Sequence, residues 1–286
     1  MSLLDRVRRC RQWNPGRYRR FWIGSQKVGW VAHDMAKRLA AFPGVFEIQP
    51  DAVRLAPGLD TFAARSEAVA GVLERLKAEG LVPGWRHEFY PVAASFHAPP
   101  LMRMERAAVP LFGVQGYGVH LNGYVGAGEG MKIWVARRSR FKATGPGKLD
   151  HIVAGGQPAG LGLMQNLVKE CAEEAALPEA LARRARPAGL VSYLTETSEG
   201  LRNDVLFAYD LELTPDFTPR NNDGEVEKFF LWPVARVMQV LAESDDFKFN
   251  VALVIVDFLV RHGLLGPEDP DYVDIVQGLR LEALPA

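Results

Sequence analysis

Cysteine is nearly absent from this 286-residue chain, Cys10 and Cys171 being the only two. Two thiols so far apart exclude a disulfide framework and form no metal-ligand spacing; they fit a reducing compartment, so a cytoplasmic location is expected. Histidine suggests no metal site either, because His33, His87, His97, His120, His151 and His262 include no H-x-x-x-H pair. No apolar run approaches the ~20 residues that a membrane helix needs. The longest, VALVIVDFLV from Val251, is interrupted by Asp257 and reads as a buried core helix. The basic stretch MSLLDRVRRCRQWNPGRYRR lacks the apolar block of a secretory signal. An excess of either charge is missing as well, with Lys+Arg 34 against Asp+Glu 34 and a formal net charge of +0. The whole molecule therefore has no electrostatic case for binding nucleic acid or an anionic membrane, and any anionic ligand must be held locally. Repeats, low-complexity segments and a G-x-S-x-G elbow are also missing. GAGEGMK near Gly126 lacks the ending of a phosphate loop and reads as a hairpin turn.

What is present is the mix of a soluble, well-cored protein, 48% hydrophobic and 24% charged. FWIGSQKVGW (21–30) and VFEIQPDAVRLA (45–56) read as hairpins, with a short helix at MAKRLAAF between them. A longer helix follows at TFAARSEAVAGVLERLKAEG, where Val69, Val72, Leu73 and Leu76 recur at helical spacing and Gly80 marks the end. Beyond Pro99-Pro100 the texture changes. GYGVHLNGYVGAGEGMKIWVARRS reads as two strands joined by a glycine-rich turn, and LVSYLTETSEGLRNDVLFAYDLEL as a second pair. EVEKFFLWP is one more strand, and Val234 to about His262 is helical with a break near Ser244 or Asn250. A mixed sheet with flanking helices buries all of this. The boundary is expected around 105–115, giving units 1–110 and 111–286.

One segment, VAGGQPAGLGLMQNLVKECAEEAALP (153–178), carries chemistry. On a helix starting near Met164, the residues Met164, Leu167, Val168, Cys171 and Ala175 form an apolar stripe. Glu170, Glu173 and Glu174 project together from its flank, at the pitch where like charges repel, so something positive should sit against them. Clustered glutamates are more often a solvated face. Here, however, a glycine-rich loop runs into the helix and lets backbone groups approach closely. Hard cations such as Mg²⁺ are commonly held by one or two carboxylates plus substrate phosphates. Loop, helix and acids together suit metal-bound phosphates.

The segment resembles the Nudix box, G-x5-E-x7-R-E-U-x-E-E-x-G-U with U apolar, with Gly155 opening it and Lys169-Glu170-Cys171-Ala172-Glu173-Glu174-Ala175-Ala176-Leu177 closing it. The resemblance implies Mg²⁺, with Mn²⁺ as a substitute, on Glu170, Glu173 and Glu174, and the Gly155 carbonyl as a further ligand. It implies a catalytic part for Glu170 and Glu174. The implied fold class is α/β of the α+β kind, a Nudix α/β/α sandwich around a mixed sheet, joined here to a smaller α+β N-terminal domain. Leu161, Lys169 and Ala176 depart from the box, replacing its first glutamate, its arginine and its glycine. Lysine still neutralises a glutamate but lacks the two-pronged contact of arginine, and Ala176 weakens the left-handed cap.

AGGQPAG, NLVKECAEEAAL, VSYLTET, DGEVEKFFLWPV and FKFNVALVIVDFLVRHG resemble a Nudix branch found alone or fused to thiamine pyrophosphokinase. The substrate then implied is a small-molecule diphosphate, with thiamine diphosphate and its oxidised forms leading. Nucleoside diphosphates, oxidised nucleotides, ADP-ribose and dinucleotides remain alternatives, as does a binding module without turnover. Glu225 and Glu227, two apart on a predicted strand after an Asn-Asn-Asp-Gly turn, share a face that the turn could bring over the metal site. Glu225 is the first choice for the base, with Glu227 a second base or extra ligand, against the alternative that both face solvent. Arg138 and Lys148 are the weaker candidates for gripping phosphate, and Trp134, Tyr117 and Tyr124 for stacking on a ring. The N-terminal domain is open to use as a lid, a pocket wall or a homodimer surface.

Overall fold

A computed structural model describes residues 2–142 and 144–280. The first part contains α1 (Leu3–Arg9), β1 (Tyr18–Ile23), β2 (Gln26–Ala32), α2 (His33–Leu39), β3 (Phe46–Ile48), β4 (Ala52–Leu55), α3 (Phe62–Ala78), β5 (Phe89–Val92), β6 (Met102–Glu105) and α4 (Val109–Phe112). There follow β7 (Gln115–Val125), β8 (Lys132–Arg138), β9 (Leu149–His151), β10 (Val153–Gly156), α5 (Leu163–Ala175), α6 (Glu179–Ala182), β11 (Arg186–Thr197) and β12 (Gly200–Glu212). The chain closes with β13 (Val226–Pro233), α7 (Val234–Glu243), α8 (Phe249–Arg261) and α9 (Tyr272–Gly278).

The hairpins of the first part join into one sheet, ordered β2-β1-β4-β3, in which β1 and β4 run parallel. Helix α3 covers its core because Val69, Val72, Leu73 and Leu76 fall on one face and are all buried. Thr61 caps its start by accepting from the Ala64 amide, and Gly80 takes the left-handed conformation just past its end, φ 75°.

The larger sheet runs β11-β12-β7-β8-β13, with β10 added to β7 and β9 to β8. It is mixed, since β7 and β12 are parallel while the other pairs are antiparallel. Alternation along β7 sends Val119 and Leu121 into the core beneath α5, where Leu167, Cys171 and Ala175 are also buried. The opposite face of the sheet meets α8, whose residues Asn250–Leu259 are all buried. This explains why the Val251 run, Asp257 apart, is apolar on every side.

Helix α1 does not pack with the sheet that follows it. Leu4, Val7 and Cys10 enter the same core as α7, α8 and α9. Arg6 donates to the Leu241 carbonyl at 2.7 Å and pairs with Asp245.

One short element was not legible as a strand. The glycine-rich start of the box forms β10, four residues paired with β7 from Val153↔Leu121 to Gly156↔Gly118. Its partner lies some 35 residues away by difference of position, so no local pattern announces it. Ala176, expected to weaken the cap, nonetheless takes φ 51° and closes α5 in the left-handed conformation.

Candidate functional site

Burying the apolar stripe of α5 determines where its glutamates go. Glu174 is 7% exposed, and its Oε2 accepts from the Ala154 amide of β10 at 2.8 Å. Glu170 is mostly buried and Glu173 stands further out. The positive partner is Lys169, whose Nζ reaches Glu170 Oε1 at 3.1 Å and Glu173 Oε2 at 2.7 Å. Glycine at 155 is sterically required, because a Cβ there would stand 2.3 Å from Glu170 Cδ. Burial, then the charges of Asp150 and Glu170, push the Glu174 carboxyl up to about 8 against the opposing Ala154 hydrogen bond and Lys142. Glu170 is also raised, by burial first.

All three glutamates and Gly155 line a cavity of about 530 Å³. Its facing wall comes from the first part of the chain, through Arg86, Glu88, Tyr90 and Arg106. Arg106 donates to Glu88 at 2.7 Å and lies over the Tyr90 ring. The tyrosine hydroxyl sits so close to β10 that a Cβ on Gly156 would be 1.5 Å from it.

Glu225 also lines the cavity, ion-paired with Lys142 and with Arg86 at 3.8 Å. The turn before it is anchored to α5: Asn222 Nδ2 donates to the Ala172 carbonyl, and Asn221 Oδ1 accepts from the Gly224 amide. Burial, then the Arg138 charge, lowers Lys142 to about 8.

Other residues are placed elsewhere. Glu227 pairs with Arg140 at 3.7 Å and is not among the lining residues. Glu225 precedes β13, and a register shift falls between Val226 and Lys228, so the alternation that would put the two glutamates on one face is broken. Lys148 is outside the cavity, with its ammonium on the Asp245 carbonyl. Arg138 touches the cavity but is buried, and donates to Asp150 at 2.6 Å and to the Thr144 and Gly145 carbonyls. Trp134 is core and Tyr124 packs on Phe258 and His262, while Tyr117 does line the cavity.

Among the described residues, one group of three candidate metal-binding side chains, His120, Asp150 and His151, has its ligand atoms within 4.8 Å of one another. Several of its ligand atoms are already committed, although His151 Nε2 is buried without a hydrogen-bond partner among the described residues. The two Nδ1 atoms hydrogen-bond each other at 3.0 Å, and Asp150 accepts from Arg138 and from the His151 amide. Burial, then His151, with Lys248 and Arg138 adding their charges, holds His120 well below the usual histidine range. Two cations beside a single carboxylate oppose a third.

His120, Tyr193, Asp204, Lys248 and Asn250 also line the cavity. Neither these nor Arg86 and Arg106 were singled out as site residues in the sequence. The available signal was the polar pair Lys248 and Asn250 opening a largely apolar helix.

A family model described as a domain of unknown function (DUF4743) matches residues 2–116. The chain is 45% identical over 283 residues to Nudix hydrolase 24, chloroplastic, of Arabidopsis thaliana, covering 98% of this chain and 78% of that protein. It is 45% identical over 290 residues to Nudix hydrolase 20, chloroplastic, of the same plant, with the same coverage. Among solved structures, the NUDIX domain of Shewanella oneidensis NrtR complexed with ADP ribose is 18% identical, covering 54% of this chain and 91% of that one, with a TM-score of 0.42. Both plant relatives are named chloroplastic, which overturns the cytoplasmic expectation. Scarce cysteine indicates the redox state of a compartment, not which compartment it is. The departures at Leu161, Lys169 and Ala176 do not set the chain apart: with such identity along nearly its whole length, it is an enzyme of the Nudix hydrolase family.

Proposed function

We propose that this enzyme hydrolyses the diphosphate linkage of thiamine diphosphate and its oxidised forms to the monophosphate. The divalent cation, Mg²⁺ with Mn²⁺ as a substitute, is held by Glu170, Glu173, Glu174 and the Gly155 carbonyl. The observation that carries the reading is the meeting of the α5 carboxylates with a wall of cations, Arg86, Arg106 and Lys142, across one cavity. Its volume of about 530 Å³ lies within the usual range for small-molecule sites.

The donor set suits a hard cation, because all four ligands are oxygens. Glu174 is already oriented by the Ala154 amide, and Gly155 leaves room for Glu170 against the strand. When bound, the cation supplies Lewis-acid polarisation of the phosphates and lowers the pKa of a water. Glu225 accepts the proton of the attacking water, and its pairing with Lys142 and Arg86 holds it in position. The same two cations line the cavity together with the carboxylates and steady the phosphates. Residues 1–110 form the domain that supplies the facing wall, and residues 111–286 the Nudix domain. The resemblance of AGGQPAG, NLVKECAEEAAL and FKFNVALVIVDFLVRHG to the branch fused to thiamine pyrophosphokinase supports the substrate class.

Mass spectrometry of products from a panel of diphosphates with Mg²⁺ tests this. The panel holds thiamine diphosphate, its oxidised forms, ADP-ribose, nucleoside diphosphates and dinucleotides, with Glu174→Gln as the blank. Thiamine monophosphate-type products, formed fastest and absent from the blank, are expected. Faster turnover of ADP-ribose or a nucleotide refutes the substrate class, and no turnover of any compound refutes the catalytic reading.

A further inference from the structure

The chemistry assigned so far gives one cation of the cavity wall no task of its own. Arg106 comes from the first part of the chain, just past β6, and Glu88 stands across from it, just before β5. The two strands form a separate ribbon, paired from Phe89↔Glu105 to Val92↔Met102. The Arg106 amide donates to the Glu88 carbonyl at 2.8 Å, and Nη1 donates to Glu88 Oε2 at 2.7 Å. The guanidinium also lies over the Tyr90 ring. One corner of the fork is thus tied down and one face is covered.

The opposite edge is free. Nε and Nη2 donate to no protein group among the described residues, and the Arg106 side chain is 40% exposed. Two parallel N–H groups on a planar cation match two oxygens of one phosphoryl group. The guanidinium itself stands at the cavity wall: a Cβ on Gly156, another lining residue, would lie 3.6 Å from Arg106 Cζ. The ribbon is pinned to the box loop here, since the Ala159 amide donates to the Phe89 carbonyl at 3.2 Å.

Two cationic stations result. Burial raises Glu170, and Arg106 is among the cations that oppose the rise, so these two side chains lie in each other's field. Lys142 stands in the same relation to Glu174, and shares Glu225 with Arg86. Glu170 and Glu174 are one turn apart on α5, about 6 Å along its axis. Positive charge is therefore offered at two places along the carboxylate helix.

We infer that Arg106 is a second phosphate clamp, whose Nε–Nη2 edge takes two oxygens of one phosphoryl group while the other phosphoryl group of the same substrate lies at Lys142 and Arg86. The inference rests on the diphosphatase reading for the presence of a diphosphate. It goes further in making the β5–β6 ribbon of the first domain a device of specificity: a monophosphate fills one station only, so the diphosphate is preferred and the product is released. Glu88 is the positioning residue that fixes the fork.

The test measures binding on the full chain, apart from turnover. Calorimetry with Mg²⁺ compares methylenediphosphonate, which resists hydrolysis, with methylphosphonate. Wild type is expected to prefer the diphosphonate. Arg106→Gln should cut its affinity roughly 10- to 150-fold, the scale of lost hydrogen bonds to a charged group, and change that for methylphosphonate far less. Arg106→Lys keeps the charge without the fork and should recover only a small part. Glu88→Ala should lose part of the preference, and Glu88→Gln, which keeps an acceptor for Nη1, should restore it. Arg103→Gln removes a charge from the same ribbon, where the side chain lies over Phe89 outside the cavity, and should change nothing. A wild type that prefers neither probe or binds neither overturns the clamp. So do full affinity in Arg106→Lys, an equal loss for both probes in Arg106→Gln, or the same loss in Arg103→Gln. A preference that follows Arg106 in an enzyme that cleaves no diphosphate leaves the clamp standing and refutes the catalytic reading instead.

Discussion

Replacing Asp150 by asparagine should destabilise the protein far more than the change of one atom suggests. Both Asp150 oxygens are acceptors, Oδ2 for Arg138 Nη1 at 2.6 Å and Oδ1 for the His151 amide at 2.9 Å. An asparagine can accept on one side only and turns an NH2 toward a donor on the other. The Arg138 side chain is 9% exposed, so its charge would be left buried with carbonyl partners alone, and Lys248 adds a like charge nearby. Removing one partner of a buried pair costs about 3–5 kcal/mol, and the hydrogen bond that asparagine keeps puts this case near 3. For a protein of this size that corresponds to a fall in Tm of about 6–12 °C. Burial works against the Asp150 charge, but the His151 hydrogen bond and the charges of Arg138 and Lys248 outweigh it and hold the carboxyl well below its usual range. Because the folded value is depressed, the stabilisation is complete above the unfolded value of about 3.9 and fades as pH falls below it toward the folded value. Thermal melts followed by circular dichroism should show the full gap between variant and wild type at pH 7, and a smaller gap at pH 3 than at pH 5. A variant melting within about 2 °C of wild type at pH 7, or a gap that does not change between pH 5 and 3, refutes the reasoning.

Gly155→Ala should displace Glu170 by about 1 Å and lower kcat roughly 100-fold, with Tm little changed; normal turnover would show that the carboxylate position does not matter. Gly156→Ala drives a methyl into Tyr90, so Tm should fall, and adding Tyr90→Phe should recover part of the loss in a double-mutant comparison. Glu225→Gln should lower kcat on the order of 10²- to 10⁴-fold at nearly constant Tm, and wild-type turnover would remove it as the base. Chelation should abolish turnover. Mg²⁺ at about 100 times its Kd should add about 2.7 kcal/mol of stability, read as a rise in Tm that is absent from Glu174→Gln; an equal rise in both proteins would place the ion elsewhere.

The carboxylate helix could be read from the chain because its logic is local. An apolar stripe at a 3.6-residue period must face the core, and the glutamates follow from the geometry. The hairpins and α3 were legible for the same reason. Glu225 and Glu227 show where such reading stops: a period of two assumes an unbroken strand, and the register shift at Val226 removes that premise. Arg138 looked like a basic strand end, but the fold brings Asp150 against it and uses its donors internally. Arg86, Arg106, Lys248 and Asn250 reach the cavity only through packing between distant segments, which no periodicity records.

The docking of α1 among the C-terminal helices also bears on how the chain is made. Arg6 finds its acceptor in Leu241, 235 positions later. At about 5–20 residues per second of synthesis, α1 leaves the ribosome on the order of 10–50 s before its binding surface exists. The sheet of β1 to β4 and α3 draws its core from nearby residues and can close in that interval, whereas Leu4 and Val7 must wait as an exposed apolar pair. The core that α1 shares with α7, α8 and α9 can therefore close only after those helices have been made.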